Sequence, residues 1–190
     1  MRSVRVSARS DYALRAVAEL AASDGRPMNR EKIAEAQEIP AEFLENILLE
    51  LKHVGIVMSQ RGAGGGFRLA RQASEISLAD VIRAVDGPLA NVRGNRPEVV
   101  EYRGPAAHLR DVWIAVRASL REILEEISVQ DLVDGNLPAR VSTLTKNPRA
   151  WVSLAFGPGT GSARIRSPRI PSPRTRNPRA SAKSGGARSV

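Results

Sequence analysis

The stretch Arg61-Gly62-Ala63-Gly64-Gly65-Gly66-Phe67-Arg68-Leu69 holds the residue types best suited to binding chemistry in this 190-residue chain. Glycine tolerates positive φ and puts no Cβ in the way of a close approach. The arginines flanking the glycines favour an anionic partner. An apolar run at 56–59 precedes the loop and an alternating one at 67–71 follows it, so it reads as a strand-to-strand reversal. It lacks the Gly-Lys-Ser/Thr ending of a phosphate loop, and no helix follows to aim its dipole at a phosphate. The βαβ setting of a dinucleotide fingerprint is missing too. A plain hairpin turn and the wing of a DNA-binding domain are the readings that remain.

Catalytic chemistry has little to work with. There is no cysteine, so disulfides, thiolate metal sites, cysteine-ligated iron–sulfur clusters and thiol nucleophiles are excluded. His53 and His108 are the two imidazoles, too few for a typical zinc site. No enzyme, metal or cofactor is therefore expected. No segment approaches the ~18 apolar residues of a membrane span. Arg2, Arg5 and Arg9 have no apolar region behind them as a secretory signal would, so a cytoplasmic protein is expected.

The formal net charge of +9 is unevenly spread. Residues 1–142 carry 19 Lys and Arg against all 20 Asp and Glu, a net of −1, and residues 143–190 carry ten basic and no acidic residues. The chain thus reads as a near-neutral domain followed by a basic tail. Ser167-Pro168-Arg169, Ser172-Pro173-Arg174 and Asn177-Pro178-Arg179 repeat one unit in that tail, which is too polar to offset the entropy of ordering. Disorder is expected over 143–190, with Trp151, Val152, Leu154 and Phe156 as the one patch able to dock. The ten cations would strengthen nonspecific DNA binding, so a second reading is an architectural, weakly specific DNA binder driven by the tail.

The elements that must position the glycine loop are mostly helical. Residues 10–22 have Tyr12, Leu14, Val17 and Leu20 at helical spacing, with Ser10 as N-cap. Asn29 caps a second helix, 30–37, with Ile33 and Ala36 inward. Pro40 opens a third, 41–54, whose buried stripe is Phe43, Leu44, Ile47, Leu48 and Leu51, and Gly55 ends it. Two short helices joined by a tight turn, then strand, glycine loop and strand, outline a winged helix-turn-helix. Ser77 caps a further helix closing at Gly87. The fold class expected is mostly α with a small β-hairpin wing.

Residues 90–105 lose periodicity and read as a linker. Within 106–127, Leu109, Trp113, Val116, Leu120, Ile123 and Ile127 advance by alternate fours and threes, the 3.5-residue period of a two-helix seam. A helix packed on its own domain fits the same pattern. The divisions expected are a DNA-binding domain at 1–89, a linker at 90–105, a dimerisation helix with a short final helix at 106–135, and the tail at 143–190.

Three blocks resemble the Rrf-two family of bacterial winged-helix regulators. Ser7 to Ala13 carries a Ser-x-x-x-x-Tyr-Ala pattern. Ile39 to Leu69 includes a wing like the family's Arg-Gly-Pro-Gly-Gly-Gly-Tyr, with Ala63 and Phe67 in place of the Pro and Tyr. Ile76 to Leu89 is similar to the family's Ile-Thr-Leu-Ala-Asp-Val-Ile-Arg-Ala-Val-Asp-Gly-Pro-Leu. The resemblance implies a homodimer on double-stranded DNA, with two recognition helices in successive major grooves and two wings over the minor groove. By position it implies that Arg61 enters the minor groove and that Glu42 and Glu45 face bases; Gly64, Gly65, Gly66 and Arg68, which permit close approach and add positive charge, join Arg61 as expected DNA contacts of the wing. A carboxylate at Glu45 repels phosphate and gains only from cytosine N4 donors, so it should add selectivity rather than affinity. Glu42 fits a solvated charged helix face equally, Asn46 could read adenine or merely sit on the surface, and Ser7, Arg9, Tyr12, Asn29 and Arg30 would position phosphates. Family members that hold an iron–sulfur cluster use three cysteines before the long helix. The equivalent segment here, Val92 to Pro105, has none, and the aligned His108 alone cannot hold one. A dimeric repressor acting by promoter occupancy without a cluster is expected. An organic effector, a partner protein or no effector are each open.

Overall fold

The computed structural model describes residues 6–62 and 64–151. Helix α1 (Ala8–Ala22) is the hub, touching α2 (Arg30–Gln37), α3 (Ala41–His53), α4 (Leu78–Asp86) and α6 (Val129–Asp134). It starts two residues earlier than its periodicity suggests, because Ser7 rather than Ser10 is its cap: Ser7 Oγ accepts from the Ser10 amide at 2.9 Å. Ser10 is instead the one buried polar residue among those described, its hydroxyl donating to Asp86 Oδ2 at 2.5 Å and tying α1 to the end of α4. Small residues on the buried face, Ala13 and Ala16 beside Val17 and Leu20, let four helices approach α1 closely.

Asn29 caps α2 as expected, accepting from the Lys32 amide at 2.8 Å. The turn into α3 places Glu38 in the left-handed region, φ 51° and ψ 43°, and plugs Ile39 into the core. Two inward assignments are corrected. Ala36 is exposed and Ala34 packs instead. Phe43 is 47% exposed, while Leu44, Ile47, Leu48 and Leu51 form the buried stripe of α3. At 13 residues, α3 buries a face one side chain narrower than its composition suggests.

Strands β1 (Val57–Gln60) and β2 (Gly66–Leu69) pair antiparallel, from Val57 opposite Leu69 to Gln60 opposite Gly66. Met28, just before α2, adds a stub of third strand. Its amide donates to the Phe67 carbonyl at 2.9 Å, and the Phe67 amide donates back at 2.7 Å. The wing is thereby fastened to the start of the helix-turn-helix.

Helix α4 begins at a capping box made by Ser77 and Asp80. Residues 90–105 are more ordered than a linker. Val92 and Asn95 exchange backbone hydrogen bonds at 2.9 and 3.0 Å, short 3-10 turns span Pro97–Val99 and Gly104–Ala106, and Pro97 and Val100 are buried. Helix α5 (Leu109–Leu124) packs on the first of those turns and has no buried residue. Ile127 is not on α5. It lies past the helix end, 4% exposed, and its carbonyl accepts from Leu78 N at 2.9 Å while Val129 N donates to Ile76 O at 2.8 Å. That backbone bridge, followed by a second capping box at Ser128 and Asp131, makes α6 part of the core built by α1, α3 and α4. The 3.5-residue pattern therefore holds from Leu109 to Ile123 and stops there.

The basic tail expected from 143 begins inside a helix, α7 (Ala139–Thr145), from which Val141 packs against the core. The chain divides after Leu144. In the second unit the described residues form a turn, Pro148–Trp151, with Trp151 Nε1 donating to the Thr145 carbonyl at 2.6 Å. The Ser/Asn-Pro-Arg repeats and Val152, Leu154 and Phe156 lie outside the described residues. Among those described, no helix is long and apolar enough to cross a membrane.

Candidate nucleic-acid interface

Leu44, Ile47, Leu48 and Leu51 turn one side of α3 into the core, so the residues between them face out. Glu42, Glu45, Asn46 and Leu49 form that outer stripe at i, i+3, i+4 and i+7, and Leu49 is 53% exposed. The wing stands beside it. An open cleft of about 390 Å³ runs between the start of α2, α3 and the wing, lined by Asn29, Arg30, Glu45, Leu49, Gln60 and Gly66 among others.

Arg30 and Glu45 meet in this cleft. Arg30 Nη1 donates to Glu45 Oε2 at 2.5 Å and Nη2 to Glu31 Oε1 at 3.0 Å, while its Nε is buried with no acceptor among the described residues. Glu31 is held below the usual carboxylate range by its own backbone amide at the helix start, and next by Arg30. The expected phosphate contact and the expected base contact are thus each other's partner in the free protein. For either to reach DNA, this pair must open. Asn46 Nδ2 lies 3.4 Å from the Glu42 carbonyl, a weak bond that leaves it exposed.

A second group sits at the start of α1. Ser7 Oγ donates to Asp86, Arg9 pairs with Glu50 of α3, and the Tyr12 ring lies 6.2 Å from Phe43 with the Arg15 guanidinium 5.6 Å from its centroid. Exposed Phe43 therefore extends the Tyr12 surface rather than the core. Leu49, Gln60 and Phe43 are candidate interface residues that the sequence alone did not single out for binding. Leu49 carried a signal, since it continues the spacing of Glu42, Glu45 and Asn46.

The glycines of the wing divide into two kinds. A Cβ on Gly66, at φ 154°, would fall 2.3 Å from the Met28 carbonyl oxygen, and one on Gly65 would fall 2.4 Å from the Gln60 carbonyl oxygen. The close approach these two permit is internal: Gly66 seats the wing on Met28, and Gly65 closes the hairpin by donating to the Gly62 carbonyl at 2.8 Å. A Cβ on Gly62 or Gly64 would meet nothing within 4 Å, so their open side faces solvent. Arg61 is exposed and Arg68 half-buried on β2 opposite Met58, and neither makes an ion pair among the described residues. With both cations unpaired, the wing presents uncompensated positive charge beside the α3 stripe.

Comparison with known proteins agrees with this arrangement. The family model described as "Rrf2: Iron-dependent Transcriptional regulator" matches residues 6–135. A Mycobacterium tuberculosis protein described as an HTH-type transcriptional regulator, Rv1287, is 44% identical over 155 residues, covering 81% of this chain and 96% of its own. The structure of CymR, the global cysteine regulator of Bacillus subtilis, superposes with a TM-score of 0.59 at 31% identity, covering 70% of this chain and 98% of CymR. The structure of T. potens IscR does so at 0.57 and 28% identity, covering 73% and 92%.

The iron in the family's description does not fit the donors present. The chain has no thiol, exposed His108 stands at the start of α5, and no three His, Cys, Asp or Glu side chains converge among the described residues. Over the core, the helix-turn-helix and the wing alike, this chain belongs to the Rrf2 family of winged helix-turn-helix transcriptional regulators, as a member without cysteine.

Proposed function

We propose that the protein is a homodimeric, sequence-specific repressor that occupies promoters and works without an iron–sulfur cluster. The outer stripe of α3 would enter the major groove and Arg61 the minor groove. The observation that carries this reading is the pairing of that stripe with a wing whose Arg61 has no ion pair among the described residues. A narrow A·T-rich minor groove concentrates negative potential and attracts such an arginine. Family membership supports the regulatory role, and the role of CymR as a global cysteine regulator supports occupancy of many sites.

Dimerisation would run through α5. Val112, Ala115, Val116, Ser119, Leu120 and Ile123 line an open apolar groove along it, with Val112 51% exposed. Of the seam read from the sequence, Val116, Leu120 and Ile123 line this groove, whereas Leu109 and Trp113 do not.

Footprinting on genomic fragments would supply the site, and titration of wild-type protein and Arg61→Ala on it tests the reading. Loss of a charged hydrogen bond costs about 1.5–3 kcal/mol, tenfold or more in affinity. The loss should concentrate at sites with A·T-rich flanks under the wing. An equal loss on every sequence would reduce Arg61 to a phosphate contact, and absence of any protected site would overturn the regulator reading.

A further inference from the structure

Four arginines converge on one cleft away from the DNA-facing stripe. Arg83 of α4, Arg96 of the ordered segment before α5, and Arg117 and Arg121 of α5 line a space of about 200 Å³ together with Pro88 and Leu89, and no acidic side chain lines it. Like charges gather only where something offsets their repulsion. The protein's own carboxylates do so from the rim, and incompletely. Arg117 donates from both Nη atoms to Glu98, at 2.7 Å from Nη1. Arg83 and Arg121 must share a single oxygen, Glu125 Oε1, with Arg121 Nε at 2.9 Å, and Asp80 adds a longer contact to Arg83 at 3.6 Å. The Arg96 guanidinium has no hydrogen bond or ion pair among the described residues, although its charge is felt at Glu98. Both rim carboxylates are held below their ordinary range, Glu98 chiefly by Arg117 and Glu125 by Arg121 and then Arg83, so they stay anionic at neutral pH.

We propose that this four-arginine cleft binds a small oxyanion, one or more carboxylate or phosphate groups on a compact molecule, as an effector site. Guanidinium forks match both groups bidentately, and Leu89 and Pro88 give an apolar floor for a short carbon skeleton. The ligand would bridge three segments: α4, which belongs to the core, the segment before α5, and α5 itself. Since α5 carries the groove assigned to dimerisation, the effector role rests on the reading given under Proposed function. Occupancy would set the pose of α5 against α4 and with it the separation of the two recognition helices.

The test uses the full-length protein and two probes, citrate for carboxylates and inorganic phosphate, each compared with chloride at equal ionic strength by thermal unfolding and isothermal titration. Such salts also stabilise proteins generally by exclusion from the surface. The site-specific part is therefore the difference between wild type and variants. A saturable rise in unfolding temperature is expected with at least one probe, and the responding probe identifies the chemistry. Arg96→Gln and Arg121→Gln, both at exposed positions, should each weaken binding about tenfold, the worth of one charged hydrogen bond. Glu98→Gln should tighten it by releasing Arg117, a direction that a purely structural ion-pair network would not produce. Equal responses to chloride, or probe binding unchanged in Arg96→Gln and Arg121→Gln, would overturn the site. So would weaker DNA binding by those variants with no probe present, which would place the arginines on the phosphate backbone. Specific DNA binding by the wild type, measured separately without either probe, keeps failure of the regulator reading distinct from failure of this one.

Discussion

Gly66→Ala should damage the protein's stability far more than its position in a surface wing suggests. The added Cβ would lie 2.3 Å from the Met28 carbonyl oxygen, 2.5 Å from its carbon and 2.9 Å from the Asn29 nitrogen, all backbone atoms that cannot swing aside. Relief requires parting Phe67 from Met28, which forfeits the reciprocal bonds of 2.9 and 2.7 Å. Two backbone hydrogen bonds are worth about 1 kcal/mol each. Holding a non-glycine residue at φ 154° adds about 1–3 kcal/mol. The expected loss is therefore about 3–5 kcal/mol, read as a lower urea midpoint at unchanged slope. Gly64→Ala is the internal control. Nothing lies within 4 Å of its Cβ and its φ is outside the left-handed region, so it should be neutral or more stable by about 0.4–1 kcal/mol through the unfolded chain. If Gly66→Ala unfolds at the wild-type midpoint, or Gly64→Ala costs as much as Gly66→Ala, the division of wing glycines into structural and open ones is wrong.

Glu45→Gln should free Arg30 for phosphate and remove a carboxylate near DNA, so base preference relaxes while affinity for random DNA holds or rises; competition titrations report both, and an unchanged site preference would retire Glu45 as a reader. Leu120→Glu places a charge in the apolar groove of α5 and should give monomers by sedimentation while the circular dichroism spectrum stays helical, whereas a persistent dimer would move the seam elsewhere. The depressed carboxyls of Glu98 and Glu125 add stability that is present above the ordinary 4.5 and is lost as pH falls through their lower folded values. Unfolding midpoints should therefore fall below pH 4.5, and Glu125→Gln should flatten that acid limb; an identical limb in the variant would show that the Arg83–Glu125–Arg121 cluster contributes nothing.

Local chemistry was enough to read several features from the chain alone. Asn29 and Ser77 cap helices because a short polar side chain before an apolar-periodic run satisfies free amides wherever that run folds. Gly55 ends α3 at φ 72°, a conformation other residues resist. The absence of cysteine excludes a thiolate-held cluster whatever the fold. Resemblance in three blocks supplied the family, and the wing followed from glycines between two short strands.

Tertiary structure decided what depends on which surfaces meet. Periodicity assigns Ile127 to the α5 stripe, yet the helix stops at Leu124 and Ile127 turns into the core, because Ile76–Leu78 offers backbone partners that no local pattern announces. Phe43 has the spacing of a core residue, but its ring lies at the surface beside Tyr12 of α1, with the two ring centroids 6.2 Å apart. Arg30 and Glu45 are 15 residues apart and read as independent DNA contacts until the turn at Glu38 folds α2 and α3 together and makes them a pair. The four arginines around Leu89 come from α4, the segment before α5 and α5, so only their packing turns scattered basic residues into an anion-binding cleft. Composition and spacing state what each segment can do alone; which charge is spent on a neighbour and which remains for a partner is set by long-range contact.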